Sequence, residues 1–193
     1  MANKTCRPFV DNEFEQVIDL LKNGYVGKDG VVHRGNEMVA LAIWLEGVVG
    51  LRVSDIVRVR ASSFVRQNSN DWYIQIVEKK TKKKRNFYVT DEIKDSIFNY
   101  CLDHNIGRNE PIIKCTTRNI QKHLKNVAEY LELGDFIGTH SSRKKFSNAI
   151  FEQSDIYLLS TILQHSSVEV TKRYVSVNSQ DIKDALSINS CSF

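Results

Sequence analysis

The chain has little of what several protein classes require. Cys6, Cys101, Cys115 and Cys191 are scattered along 193 residues, with no C-x-x-C pair and no histidine at zinc spacing. That pattern argues against a disulfide framework or a structural metal and for reduced thiols in a cytosolic setting. No acids cluster at metal-ligand intervals, so the expected chemistry uses neither metal nor cofactor. The N-terminus has no apolar signal core, and the longest apolar stretch, residues 38–45, is far too short to span a bilayer. Internal repeats, low-complexity tracts and linkers are also missing. With 41% hydrophobic residues, the chain has enough apolar material for one domain with a real core.

What is present concentrates in the last third. His140-Ser-Ser-Arg143 is followed by Leu163-Gln-His165 and, after Ser166-Ser167-Val168-Glu169-Val170, by Thr171-Lys172-Arg173-Tyr174. Forked arginine donors with histidine beside them can hold the negative charge that gathers on a phosphoryl group under attack, and a phenol placed in line can be the nucleophile. His140 and Arg143 are three apart and share a face if helical. His165 and Tyr174 are nine apart and would lie on roughly opposite sides of one unbroken helix. They need a break, and Ser166 with Glu169 reads as a capping box that starts a new helix there. Taken singly, each residue has an ordinary reading: a core histidine, a packing tyrosine, a solvated basic face. Their coincidence favours one site.

These segments, with Gly50-Leu51-Arg52-Val53-Ser54-Asp55 upstream, resemble the signature of the tyrosine recombinases, the phage integrase family. The ordered set spans residues 50–175. The resemblance implies an α+β, mainly α-helical fold, the integrase catalytic-domain fold with a small antiparallel β-sheet and hairpin. It also implies DNA cutting and rejoining through a covalent 3′-phosphotyrosine. In that pattern Arg52, His140, Arg143 and His165 surround the scissile phosphate and Tyr174 attacks it. The family's remaining catalytic residue is a hairpin lysine. Lys80 best matches the lysine-threonine turn, with Lys79 and Lys82 as alternatives. Departures are Ser141 and Ser142 where an acid and a leucine are usual, Lys144 where a second histidine is usual, and Gln164 where glycine is usual.

Net charge is only +4, but residues 79–85 hold six cations in seven positions. Lys79, Lys82, Lys83, Lys84 and Arg85 of that run, with Lys144, Lys145, Lys172 and Arg173 beside the proposed catalytic positions, are the expected DNA contacts. The expected partners are double-stranded DNA and further copies of the chain, as a dimer or tetramer on DNA, with no membrane. The competing reading is a non-catalytic DNA-binding relative or accessory factor; a type IB topoisomerase is the enzymatic alternative.

Patterning predicts a helix capped by Asp11 or Asn12 that carries Phe14, Val17, Ile18 and Leu21, then a glycine-rich loop over 24–35. An apolar helix over 37–49 follows, with Arg52 in the turn before a short helix starting at Ser54 or Asp55. Strands at 72–77 and 87–89 flank the basic run. A helix from Thr90 or Asp91 to Asp103 turns Ile93, Ile97 and Leu102 inward. Residues 111–113 read as a strand, and Thr116 or Thr117 opens a helix to Leu131. Thr139 caps the helix bearing His140 and Arg143, and Asp155 caps the one ending near His165. The economical organisation is a single catalytic domain over 1–193 without a separate N-terminal core-binding domain, either a natural single-domain member or an excised fragment. Residues 178–193 read as an amphipathic tail; the resemblance implies that it packs on a neighbouring protomer, with Ile182 and Leu186 as anchors, and folding back on its own domain is the alternative.

Overall fold

Helix α1 (Glu13–Asn23) forms where apolar residues recur on one stripe, and it buries Phe14, Val17 and Leu21. In this computed structural model, residues 6–10, 12–67, 71–79, 82–134, 136–163, 165, 167–172 and 174–175 are described. Lys80, Ser166, Arg173 and the tail from 176 onward, with Ile182 and Leu186, lie outside them. The chain divides into two units, residues 1–146 and 147–193.

In the first unit, α2 (Glu37–Val49) is apolar nearly all round and buries Val39, Ala42, Ile43, Leu45 and Val49. Asn36 caps it by accepting from the Val39 amide at 3.1 Å. Gly50 ends it with φ 71°, a left-handed conformation that suits glycine at a helix C-terminus. The short α3 (Val53–Ile56) begins one residue before the sequence placed it, so Arg52 occupies its N-cap position in extended geometry.

Residues 24–35 are not the loop expected. Strands β1 (Gly24–Val26) and β2 (Val32–Arg34) pair antiparallel, Tyr25 opposite His33. Their rings stack at 4.5 Å, and Tyr25 also meets Tyr130 at 4.4 Å. Gly24 has φ 81°, and a Cβ there would lie 2.4 Å from the His33 carbonyl oxygen, so this glycine answers a close backbone approach.

A three-stranded antiparallel sheet follows, in the order β3 (Phe64–Arg66), β4 (Trp72–Val77), β5 (Lys84–Val89). β4 and β5 are the two strands read from the sequence, with β5 starting three residues earlier; β3 had no clear signal. Ile74 and Phe87 face each other and are buried, while Tyr73 and Tyr88 form an edge-on pair at 5.8 Å. This alternation fixes which side of the sheet meets the core.

Helix α4 (Asp91–Asp103) is capped by Thr90 and buries Ile97 and Cys101. Leu102 is 74% exposed, contrary to expectation: Cys101, four residues after Ile97, keeps that stripe, and Leu102 is rotated off it. Residues 111–113 make only an isolated bridge, Arg60 to Pro111, with the Ile112 amide donating to the Val59 carbonyl. Ile112 and Ile113 are buried apolar chain, and the segment forms no strand. Helix α5 (Thr117–Tyr130), capped by Thr116, buries Ile120, Leu124 and Val127, with Leu131 just past its end partly buried.

Helix α6 (Thr139–Glu152) runs across the division between the units. Thr139 is its first residue, and no cap. The Gly138 amide instead donates to the Ser141 hydroxyl at 3.1 Å. In the second unit, α7 (Ile156–Ile162) is capped by Asp155, which accepts from the Tyr157 and Leu158 amides at 2.7 Å each. Helix α8 (Val168–Thr171) has Ser167 at its N-cap without a side-chain bond, which replaces the capping box read from Ser166.

Candidate active site

The first unit gathers three of the predicted residues around the turn at Gly50. Because Gly50 leaves α2 in a left-handed conformation, its carbonyl is released from the helix, and Arg143 Nη1 from α6 donates to it. Gly50 and Arg143 are 93 residues apart in sequence. Arg143 is 1% exposed, so it is no solvated basic face. Arg52, two residues past Gly50, keeps its side chain 19% exposed and donates through Nη1 to Glu78 Oε1 at 2.5 Å.

His140 lies one turn before Arg143 on α6. The residue is exposed by surface area, yet its imidazole is held below the usual histidine value. Partial burial is the largest cause, and the positive charges of Arg143, Arg52 and Lys144 add to it. A histidine depressed in this way is neutral at pH 7 and able to accept a proton. It is tuned by the same cations that would attract a phosphate.

Beneath this turn lies Glu46, fully buried on α2. Burial raises its carboxyl well above the ordinary carboxylate value, while Arg143 and the Val53 amide act in the opposite direction. Neither carboxyl oxygen reaches hydrogen-bonding geometry. Asp55 is buried too and accepts from the Lys79 amide at 2.8 Å, which fastens the start of the basic hairpin to the arginine turn.

The second unit holds the histidine and the phenol. The break that the nine-residue spacing demands is present: α7 ends at Ile162, His165 caps back with its amide on the Ser160 carbonyl at 3.0 Å, and α8 starts at Val168. The chain then turns after Thr171, whose carbonyl accepts from the Tyr174 amide at 2.8 Å. The His165 and Tyr174 rings end 5.1 Å apart. Thr171 is wholly buried, and its hydroxyl is 2.9 Å from His165 Nδ1. That bond fixes the ring plane of His165.

The predicted DNA contacts fare unevenly. Lys79, Lys82, Lys83 and Lys84 are exposed on the hairpin, and Lys82 has φ 60° in its turn. Arg85 is drawn inward, its Nε 3.7 Å from Glu78. Lys144 is half-buried beside His140. Lys145 lies over the Phe14 ring at 4.7 Å and 3.8 Å from Glu15, so part of its reach is spent on its own unit. Lys172 is exposed and pairs with Glu169 at 3.1 Å. Lys80 and Arg173 are outside the described residues. Among the described residues no cluster of histidine, cysteine and carboxylates could hold a metal, and no helix is long and apolar enough to cross a membrane. Glu46, Glu78 and Thr171 escaped the sequence reading; an acid immediately before a run of cations was the one visible hint, at Glu78.

A helical chain with a small antiparallel sheet, an arginine turn and a histidine-tyrosine pair has the fold of integrase catalytic domains. The chain matches the catalytic domain of bacteriophage HP1 integrase with a TM-score of 0.64 at 19% identity over 95% of both chains. It matches the XerH site-specific recombinase bound to palindromic difH substrate with a TM-score of 0.73 at 18% identity, covering 97% of this chain and 54% of that one. It thus spans about half the length of XerH. The probable integrase/recombinase YoeC of Bacillus subtilis (strain 168) is 29% identical over 147 residues, 72% of this chain and 77% of that protein. The phage integrase family model matches residues 12–181. The chain belongs to the phage integrase family.

Proposed function

We propose that the chain is a site-specific DNA recombinase that cleaves and rejoins strands through a 3′-phosphotyrosine at Tyr174. The observation that carries this reading is the assembly around Gly50: Arg143 comes from 93 residues away to the turn that bears Arg52, and His140 feels both charges. Binding DNA needs cations, but not two arginines directed to one turn with a depressed histidine. The resemblance gives this cluster and the His165–Tyr174 pair to one reaction.

In that reaction Arg52 and Arg143 make phosphorus electrophilic and neutralise its non-bridging oxygens, which a phenol with pKa near 10 requires of its target. The Tyr174 oxygen forms a bond to phosphorus as the bond to the 5′ oxygen breaks. The Tyr174 proton passes to a base, for which neutral His140 is suited, while His165 donates to a non-bridging oxygen. A hairpin lysine protonates the departing 5′ oxygen; Lys80 has this role, with Lys79 and Lys82 as alternatives. The ester keeps the bond energy, so a 5′ hydroxyl from another strand reverses the step without metal or cofactor. The substrate is double-stranded DNA, and two or four copies of a domain made of residues 1–193 act together on it. A cytoplasmic protein of a mobile element fits this chemistry.

The test is Tyr174→Phe on a nicked duplex that traps the intermediate. The variant is expected to bind DNA within about threefold of the parent, since one hydroxyl contributes little to affinity, and to give no protein-linked strand on a denaturing gel. Protein-linked DNA from that variant would show that the nucleophile is another residue. Strand exchange between two duplexes separates a recombinase from a relaxing topoisomerase, and a parent that binds without an adduct supports the non-catalytic alternative.

A further inference from the structure

Glu78 is an acid where the chemistry above has no use for one. It follows β4, is 2% exposed, and directly precedes the six cations of residues 79–85. A carboxylate taken out of water persists when it is paired, and two guanidinium groups pair with this one. Arg52 Nη1 donates to Oε1 at 2.5 Å, and Arg85 Nε stands 3.7 Å from Oε2. The backbone of Glu78 is committed as well. Its amide donates to the Lys83 carbonyl and its carbonyl accepts from the Lys82 amide, 3.0 Å each, so one residue closes the hairpin turn from both sides. Asp55, three residues after Arg52, takes the next amide, that of Lys79. The arginine turn and the base of the lysine hairpin are therefore tied to each other twice.

Neutralising a charge would not need this arrangement; any exposed acid could do it. An arginine on a long flexible stem loses rotamer freedom when it grips a ligand, and a phosphate approaching its transition state must find the guanidinium already aimed. Five N–H donors in a rigid fork let one guanidinium keep a carboxylate on Nη1 and still offer other donors to a phosphate oxygen. We propose that Glu78 is a positioning residue, which holds Arg52 at the angle that points its remaining donors at the scissile phosphate and sets that angle relative to the lysine hairpin. The proposal rests on the recombinase reading above. Its rival is a mask, in which Glu78 merely occupies Arg52 until DNA displaces it.

Three readouts on Glu78→Gln and Glu78→Asp, both checked by melting curves, decide between them. The first is single-turnover adduct formation at saturating nicked duplex that carries the sequences flanking the coding region. The second is affinity for a generic duplex. The third is the side-chain N–H spectrum of Arg52 without DNA, where a held guanidinium gives resolved, slowly rotating groups. Positioning predicts that Glu78→Gln slows the adduct about 10- to 100-fold, leaves affinity within about threefold, and merges the Arg52 signals. Glu78→Asp, which keeps the charge but withdraws it by one methylene, falls between and stands alone if the glutamine variant does not fold. An unchanged rate, equal losses of rate and affinity, or tighter binding with a faster rate each overturn positioning, the last in favour of the mask. If the parent itself forms no adduct, the recombinase reading fails while the Arg52 spectrum still judges Glu78: resolved signals that survive in the variants refute its hold on Arg52.

Discussion

Thr171 Oγ1 lies 2.9 Å from His165 Nδ1 in a fully buried position, where a valine would keep the shape and lose the bond. A hydrogen bond of this kind contributes about 0.5–1.5 kcal/mol, which is about two- to thirteenfold in a rate. Thr171→Val is therefore expected to slow single-turnover cleavage by that factor at constant DNA affinity, and to change the tautomer equilibrium of His165 seen by ¹⁵N NMR. A proportional loss in affinity would assign Thr171 to packing alone. The residues proposed to carry the chemistry, Arg52, His140, Arg143, His165 and Tyr174, stood out in the sequence because such chemistry restricts residue types and the spacing is ordered. Thr171 and Glu78 were not. A threonine or a glutamate is common anywhere, and only the tertiary path shows which imidazole or guanidinium it meets.

Helix α2 carries a cost in its interior. Glu46 is fully buried with a carboxyl raised well above its ordinary value of 4.5. A raised acid binds its proton more tightly in the folded chain than in the unfolded one, so its contribution is least unfavourable below pH 4.5 and worsens as pH climbs from there towards the folded value. Glu46→Leu is expected to raise stability by about 1–3 kcal/mol at neutral pH, with a gain that shrinks on acidification towards pH 4; thermal melts across that range check it. An equal gain at every pH would mean that the carboxyl does not titrate on unfolding. Helices marked by an apolar stripe (α1, α5), a long apolar run (α2) or a capping residue (α4, α5, α7) were readable from residue pattern alone. The β1–β2 hairpin was not, because glycine and polar residues that mark a loop also serve where two backbones touch, as at Gly24. Residues 111–113 failed for the opposite reason: a buried apolar run has no period, and burial here comes from packing without a partner strand.

Across the whole molecule, charge is modest in sum and uneven in place. The exposed lysines 79, 82, 83 and 84 stand on one hairpin, and the net charge of the chain is +4. Counterion release then governs affinity, with about 0.9 in the log-log salt slope for each phosphate neutralised. Replacing Lys82, Lys83 and Lys84 together by alanine is expected to flatten the slope by about 2–3, as measured by anisotropy of a labelled duplex over a range of sodium chloride. An unchanged slope would remove the hairpin from the DNA interface. Composition could not have located this patch, since an overall excess of four charges is compatible with almost any distribution.

The Gly50 carbonyl leaves a longer-range consequence for how such a chain can vary. One backbone oxygen holds Arg143, and the same turn sets the direction of Arg52 two residues later. Lengthening or shortening that corner by a single amino acid would be a double lesion, dislodging both guanidinium groups in one mutational step. Drift in length should therefore collect elsewhere, in segments such as the tip of the β1–β2 hairpin, where an added residue disturbs neither arginine.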